Sequence, residues 1–175
     1  MDLIRLVYFS RNRLDLAKGA LNERVSEILT KSVANNREAD ISGGLIFSKD
    51  WFAQALEGDR VAVTETFARI ERDKRHGDVT RHAFKAIEKR RFSYWWMAAA
   101  GWTPETAELF RRFSGADQFD PRGMSADSIC DLIVAVLDYR MHHADADGTS
   151  PWLSAWRDPD TARDVAAAIP ESSAA

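Results

Sequence analysis

The most restrictive feature of this sequence is a strand that has no polar face. Residues 51–56 read WFAQAL, and the two-residue period of a strand places three of these side chains on each face. They are Phe52, Gln54 and Leu56 on one face and Trp51, Ala53 and Ala55 on the other. Both faces need an apolar cover, so the chain is expected to form a sheet with a layer on each side.

Gln54 is the exception on its own face, because it stands between Phe52 and Leu56. A buried side-chain amide costs roughly 1–3 kcal/mol unless its donors and its acceptor are paired. The chain, or a ligand bound to it, must therefore supply partners for Gln54. This residue is the first candidate for a functional site.

Along the first hundred positions, segments in which apolar residues recur with the period of a strand alternate with segments in which they recur with the period of a helix. The pattern predicts strands over 3–10, 42–47, 51–56, about 80–88 and 91–99, and amphipathic helices over 21–34 and 60–73. This βαββαββ order is the plan of a ferredoxin-like α/β sandwich, with a mixed five-stranded sheet and both helices on one face. The first strand is expected beside the strands that follow each helix, so that Tyr8, Gln54, Trp95 and Met97 converge.

Two further helices are expected to cover the opposite face of the sheet. Thr103-Pro104 reads as an N-cap followed by proline, which would open a helix running to about Phe113, and Ser125 reads as the cap of the next helix. The chain is therefore divided into a sheet domain over 1–100, a helical cap over 101–144 and an extension of uncertain fold over 145–175.

Composition and charge disfavour a nucleic-acid-binding or membrane-spanning protein. A net charge of -3 in 175 residues does not predict the basic surface that binds nucleic acid. No apolar run is long enough to span a membrane. The single cysteine, Cys130, lies in an apolar helical pattern and is read as a small core residue in a reducing compartment. The opening MDLIRLVYFS is unlike a secretory signal, so a cytoplasmic protein is expected. No metal site is expected.

Several short motifs then occur in a familiar order. They are LVYFS with Tyr8, Asn35-Asn36, SGGLIF, FAQALEG, ARIERDKRH, and RRF followed by WWM. Together, over about residues 3–100, they resemble a BLUF domain, the blue-light sensor that uses a flavin. The later FDPRGMSAD segment and the helix after it resemble the C-terminal cap of short, stand-alone BLUF photoreceptors.

The resemblance implies a cofactor, FAD, with FMN or riboflavin possible because the photochemistry involves only the ring. The flavin would lie between the two helices on the sheet, and Gln54 would stand between Tyr8 and the N5/O4 edge of the ring. Tyr8 would give an electron and a proton, and the Gln54 amide would rearrange and hold a different hydrogen-bond pattern afterwards.

The resemblance also assigns the remaining site residues. Asn35 and Asn36 would bond the polar edge of the ring, and Arg69 and Asp73 would reach its pyrimidine side. Arg75 and His76, with Lys74, would lie near the phosphates, and Ile28 and Ser32 would face the ring. Trp95 and Met97 would couple the pocket to the last strand and the cap helices.

The expected function is therefore a blue-light photoreceptor without enzymatic activity. A flavin-dependent oxidoreductase is the alternative, and a ferredoxin-like RNA-binding module is disfavoured by the acidic chain and the covered sheet. No cyclase, phosphodiesterase or DNA-binding domain is expected after residue 113, so the signal is expected to pass to a separate protein or through a change of assembly. A homo-oligomer is expected.

Overall fold

A computed structural model describes residues 2–15, 21–93, 97–115 and 118–143. The first five elements are β1 (Leu3–Asn12), α1 (Leu21–Glu38), β2 (Ser42–Phe47), β3 (Trp51–Asp59) and α2 (Arg60–Glu71). They are followed by β4 (His76–Ala86), β5 (Ala98–Gly101), α3 (Ala107–Ser114), a short 3-10 turn (Pro121–Gly123) and α4 (Ala126–His143). The predicted extension over 145–175 lies outside the described residues.

The sheet is mixed and five-stranded, as predicted. Its strand order is β4-β1-β3-β2-β5, and only the β2–β5 pair is parallel. One expectation about the order was wrong. β1 lies beside β4, which follows α2, but its other neighbour is β3 rather than β2, which follows α1. The reason is that the α1 crossover leaves a gap of one strand position, which β3 fills by folding back from β2 as a hairpin.

The register of the central strands sets the position of Gln54. Tyr8 on β1 and Leu45 on β2 both lie opposite Gln54 on β3. Directly opposed residues of an antiparallel pair share one face of the sheet. Tyr8 and Gln54 are therefore neighbours because of backbone pairing, and no loop has to bring them together.

Each face of the sheet has its own apolar core. The face that bears Gln54 packs against α1 and α2 through Val25, Ile28, Leu29, Val63 and Phe67. The opposite face, with Val7, Phe9, Trp51, Ala53 and Ala55, packs against α3 and α4 through Phe110, Ile129, Cys130, Leu132, Ile133, Val136 and Leu137. The predicted two-sided cover is confirmed.

Helix α4 lies close against β2 at Gly44. A Cβ atom added at Gly44 would lie 2.4 Å from Cγ2 of Ile133 and 3.2 Å from Cδ1 of Leu137. The Ser125 cap of this helix is confirmed, since the Ser128 backbone N–H donates to Ser125 Oγ at 3.0 Å. Glycine at position 44 thus allows the cap helix to sit directly on the strand.

Several predicted boundaries were wrong. Of the described residues in the strand expected over 91–99, Arg91, Phe92 and Ser93 form a bend, and the strand found is Ala98–Gly101. The backbone N–H groups of Arg91 and Phe92 donate to the carboxylate of Glu57 and not to a neighbouring strand. Residues 94–96, which include Trp95, lie outside the described residues.

The first cap helix also begins later than predicted. Its N-cap is Thr106 and not Thr103, because Thr103 and Thr106 bond each other in a turn, with the Thr103 N–H donating to Thr106 Oγ1 at 2.9 Å. Helix α2 ends at Glu71, two residues before the predicted end, and α1 continues to Glu38. Among the described helices, none combines the length and the hydropathy needed to cross a membrane.

Candidate functional site

A cavity of about 200 Å³ lies between the sheet and helices α1 and α2. All residues predicted for the site, except Trp95 and Lys74, line it: Tyr8, Ile28, Ser32, Asn35, Asn36, Gln54, Arg69, Asp73, Arg75, His76 and Met97. Trp95 lies outside the described residues. Lys74, the remaining residue assigned to the phosphates, is not among the lining residues. The structure thus brings residues from β1, β3, β4, α1, α2, the turn after α2 and the segment before β5 to one cavity, while their individual roles remain predictions.

Tyr8 and Gln54 are hydrogen-bonded in the wall of this cavity. The Tyr8 hydroxyl donates to Gln54 Oε1, and Tyr8 is fully buried while Gln54 is 6% exposed. Burial disfavours the phenolate and raises the pKa of Tyr8 far above its ordinary value, and the negative charge of Asp73 acts in the same direction. The phenol therefore keeps its proton, and the amide oxygen of Gln54 keeps a donor.

The other end of the Gln54 amide contacts the segment that leads into β5. Gln54 Nε2 donates to Sδ of Met97 at 2.9 Å, and Met97 is 1% exposed. A thioether sulfur is a weak acceptor and cannot donate. Gln54 therefore has a strong partner at its oxygen and a weak one at its nitrogen, which answers how the chain accommodates an amide on an apolar face.

Helix α1 and the end of α2 supply the polar side of the cavity. Asn36 is 3% exposed, and Ser32 Oγ donates to the Ile28 carbonyl at 2.9 Å within α1. On α2, the Arg69 guanidinium donates to Thr66 Oγ1 at 2.7 Å, which holds the side chain over the cavity. A buried amide and a positioned guanidinium together offer donors and an acceptor to a polar ligand edge.

Asp73 and Arg75 lie in the turn after α2 and form an ion pair. Arg75 Nε lies 2.9 Å from both carboxylate oxygens of Asp73. The hydrogen bond from Arg75 lowers the pKa of Asp73, and the same bond raises the pKa of Arg75. Asp73 was expected one helical turn beyond Arg69, but α2 has ended before it, so its carboxylate is held by Arg75.

His76 begins β4 beside the aromatic wall of the cavity. Its Nδ1 lies 2.8 Å from Ser10 Oγ, and its ring centroid lies 6.1 Å from that of Tyr8 and 4.8 Å from that of Phe52. Burial lowers the pKa of His76 to about 4, with Arg75 acting in the same direction and Asp73 opposing. His76 is therefore a neutral imidazole at ordinary pH.

Sequence reasoning missed several lining residues, among them Leu29, Lys31, Leu45, Phe52, Leu56, Thr66 and Ile70. Lys31 lies three residues after Ile28 and four before Asn35, so helical spacing from those two predicted residues was a signal that could have found it. Thr66 could have been found in the same way, three residues before Arg69. Both add polar groups to the edge of the cavity.

The residues that line the cavity offer the apolar, hydrogen-bonding and charged groups that a flavin needs. Ile28 and Leu29 offer an apolar surface to the ring, the amides of Asn36 and Gln54 match a ring edge that both donates and accepts, and the cations at the edge of the cavity suit phosphate. Among the described residues, no cluster of His, Cys, Asp and Glu could hold a metal ion.

Comparison with known proteins gives a consistent result. Residues 3–98 match the model of the BLUF family, "Sensors of blue-light using FAD". Curated relatives from Euglena gracilis include photoactivated adenylate cyclase subunit alpha, 34% identical over 94 residues, which are 51% of this chain and 8% of the relative. They also include subunit beta, 32% identical over 116 residues, 63% of this chain and 12% of the relative. The chain thus spans only a small part of these relatives.

Two solved structures resemble nearly the whole described chain. BlrB, a BLUF protein solved in its dark state, is 26% identical with a TM-score of 0.59, and the match covers 82% of this chain and 97% of BlrB. BlsA in its ground state is 25% identical with a TM-score of 0.66, and the match covers 77% of this chain and 87% of BlsA.

Proposed function

Since the chain belongs to the BLUF family of blue-light sensors, we propose that it is a flavin-binding photoreceptor module whose light-operated switch is the Tyr8–Gln54 pair. The observation that carries this proposal is the continuous contact Tyr8–Gln54–Met97 in the wall of the cavity. It joins an oxidisable phenol to a reorientable amide, and the amide to the segment before β5.

The cofactor, when bound, supplies absorption of blue light and an excited ring that accepts an electron. The electron, the proton and the rearranging amide come from the chain. Tyr8 is a buried phenol that holds both an electron and a proton to give, and the raised pKa keeps that proton in place in the dark. His76 stays neutral beside it, so it places no charge against the phenol.

Gln54 has two arrangements in this site that differ in their bonds. In the one described, its oxygen accepts from Tyr8 and its nitrogen donates to Met97. Rotation of the amide would turn its oxygen toward a sulfur that cannot donate and its nitrogen toward the phenol. Transient loss of the phenolic proton removes the bond that favours the first arrangement, so Gln54 can settle into the second.

The remaining lining residues hold the cofactor. Asn36 and Asn35 would bond the polar ring edge, and Ile28 and Ser32 would pack against the ring. Arg69 and Asp73 would reach the pyrimidine side, and Arg75, which holds Asp73, would lie with His76 toward the phosphates. Lys31 lines the same cavity and would add a positive charge for a phosphorylated flavin such as FAD.

We further propose that the module is not itself an enzyme. The carboxylate of Asp73 is held by Arg75 and the imidazole of His76 is bonded to Ser10, so neither is poised as a free acid or base toward a substrate. Output would pass through the segment before β5 and the helices α3 and α4 to a separate signalling protein, or would change the assembly of the chain with itself.

The absorption spectrum of the purified protein, before and after blue light, tests this function. We expect a bound oxidised flavin whose absorption shifts to the red in light and recovers in darkness. A flavin that is photostable and reduced by a substrate would identify an oxidoreductase, and a protein without a chromophore would refute flavin binding. Release of the chromophore by denaturation and its chromatography separate FAD from FMN and riboflavin.

A further inference from the structure

The nitrogen end of Gln54 contacts an atom whose chemistry can be changed by oxidation. Gln54 Nε2 donates to Sδ of Met97 at 2.9 Å. Met97 is buried, belongs to the same apolar core as Tyr8 and Leu56, and lines the cavity. Oxidation of methionine to its sulfoxide turns an apolar side chain into a polar one. The hydrogen bonding of the Gln54 amide therefore depends on the oxidation state of one sulfur atom.

Met97 differs in its position from the other methionines. The sequence contains four, which are Met1, Met97, Met124 and Met141. Met124 is buried on the opposite face of the sheet, in the core that α4 covers, and it is not among the residues that line the cavity. Met1 and the side chain of Met141 lie outside the described residues. Met97 is thus the described methionine whose sulfur contacts the proposed switch.

The thioether of Met97 discriminates weakly between the two ends of the Gln54 amide. It accepts a weak hydrogen bond from Nε2 in the described arrangement, and it has no proton to donate to the amide oxygen after rotation. Because the bond on the sulfur side is weak, the bond from the Tyr8 hydroxyl is the main interaction that fixes the amide. Loss of that bond in light therefore allows the amide to turn.

A sulfoxide at position 97 would discriminate strongly between the same two ends. Its oxygen accepts hydrogen bonds and has no proton to donate, and the three rotatable bonds of the side chain let this oxygen turn toward Gln54 Nε2. After rotation, the amide oxygen of Gln54 would face a second acceptor, and a buried acceptor without a donor is costly. Oxidation of Met97 would therefore stabilise the described arrangement even while Tyr8 lacks its proton.

We propose that Met97 is an oxidative modification site whose sulfoxide holds Gln54 in the described arrangement, the one that the proposed function assigns to darkness. This inference rests on the proposed photoreceptor function. The oxidant is a peroxide. The oxidised chain would still bind flavin but would store light poorly, so the response to blue light would depend on oxidative conditions.

The oxidation is the transfer of one oxygen atom. A lone pair of the Met97 sulfur attacks one oxygen of hydrogen peroxide, and the S–O bond forms as the O–O bond breaks. The second oxygen takes the proton of the transferred oxygen and leaves as water, so the sulfur loses two electrons and the peroxide gains them. Met97 is buried from bulk solvent but lines the cavity. A reagent little larger than water can therefore reach the sulfur through the cavity.

The experiment compares the photocycle of the full chain with bound flavin before and after treatment with hydrogen peroxide in darkness. Peptide mass spectrometry measures the fraction of Met97 that carries one added oxygen. One unpaired buried acceptor changes an equilibrium by about 5–150-fold. Molecules oxidised at Met97 should therefore lose the red-shifted state at least about fivefold faster in darkness, and less of this state should accumulate under steady blue light. The fraction of molecules affected should equal the oxidised fraction of Met97.

Two variants locate the effect. Met97→Leu removes the oxidisable sulfur with little change in volume, and peroxide should leave the recovery rate of this variant unchanged, whatever that rate is. Met124→Leu is the matched control, because it removes a buried methionine sulfur on the other face and keeps the hydrogen bond between His82 and the backbone carbonyl of residue 124. Peroxide should still accelerate recovery in Met124→Leu.

Reversal separates the sulfoxide from other oxidative damage. Methionine sulfoxide reductases convert the sulfoxide back to the thioether, so treatment of the oxidised protein with these enzymes should restore the original recovery rate. Recovery that stays fast after Met97 has been reduced would assign the effect to another site and overturn the inference.

The remaining outcomes separate this inference from the function on which it rests. Absence of the red shift in untreated wild-type protein refutes the photoreceptor function and the inference with it. A normal red shift that is unchanged in molecules oxidised at Met97, or an equal effect of peroxide in Met97→Leu, overturns the inference alone. Resistance of Met97 to peroxide in the folded chain, or loss of flavin in step with the oxidation, also overturns it. If Met97→Leu does not fold, the match between the oxidised and the affected fractions of wild-type protein decides the result.

Discussion

The bond between Tyr8 and Gln54 can be measured as a coupling free energy, independently of any photochemistry. Tyr8→Phe removes the hydroxyl that donates to Gln54 Oε1, and Gln54→Leu removes the acceptor. Each single substitution leaves the other polar group buried without its partner. The double variant leaves neither group, so the two changes should not add.

The burial of the two side chains sets the expected losses in the free energy of unfolding. Gln54 is 6% exposed and Tyr8 is fully buried, and a stranded buried polar group costs about 1–3 kcal/mol. Tyr8→Phe should lower the free energy of unfolding by about 1–2 kcal/mol and Gln54→Leu by about 1–3 kcal/mol. The double variant should be more stable than the sum of the two losses implies, by about 1–2 kcal/mol.

Urea unfolding of the four proteins, stripped of flavin so that differences in ligand affinity do not enter, gives the coupling. Met97→Leu supplies the control, because it removes only a weak sulfur acceptor and should couple to Tyr8→Phe by less than about 0.5 kcal/mol. Additive losses for Tyr8→Phe and Gln54→Leu, within about 0.5 kcal/mol, would refute a direct bond between the two side chains.

Three further predictions concern other parts of the molecule. Asn36→Ala should lower flavin occupancy after purification, because a ring carbonyl or imide would lose its partner at a cost of about 1–3 kcal/mol; stoichiometric flavin would count against its assignment. The pKa of His76 is about 4 in the fold, so the unfolded chain takes up the proton first. The free energy of unfolding should therefore fall as the pH drops from about 6.5 toward 4, by on the order of 3 kcal/mol. Denaturant unfolding at several pH values should show a weaker pH dependence of this free energy in His76→Gln, and an identical dependence would exclude His76 as its source. Gly44→Ala should cost about 1–3 kcal/mol through overpacking, because the added Cβ would lie 2.4 Å from Ile133 Cγ2; unchanged thermal unfolding would show that α4 can move without loss.

The sheet and its site could be predicted because their determinants are local and periodic. Gln54 was identified as a break in an apolar strand, and the strand and helix periods were enough to place both cores. The neighbours of β1 could not be obtained from element order alone, since the position of β3 depends on the length of the α1 crossover. The order of the short motifs, through the family resemblance, then indicated which residues line the cavity.

The features that could not be predicted depend on contacts distant in sequence. The strand expected over 91–99 does not begin at Arg91, because Glu57, 34 and 35 residues away, takes the N–H groups of Arg91 and Phe92. Glu57 itself reads as an ordinary residue near a strand end. Thr103-Pro104 gives a stronger helix-start signal than Thr106, yet the bond between the two threonines moves the start. A lysine on a helix is usually solvated, which is why Lys31 was missed.

The most direct test of the central claim is the light-minus-dark absorption spectrum of Tyr8→Phe with bound flavin. This variant keeps nearly all of the packed ring but has neither the easily oxidised phenol nor the proton that bonds Gln54. We expect a folded, flavin-bound protein that shows no red-shifted state under blue light. A shift like that of the wild type, recovering in darkness, would show that Tyr8 serves only as core packing and that another residue drives Gln54.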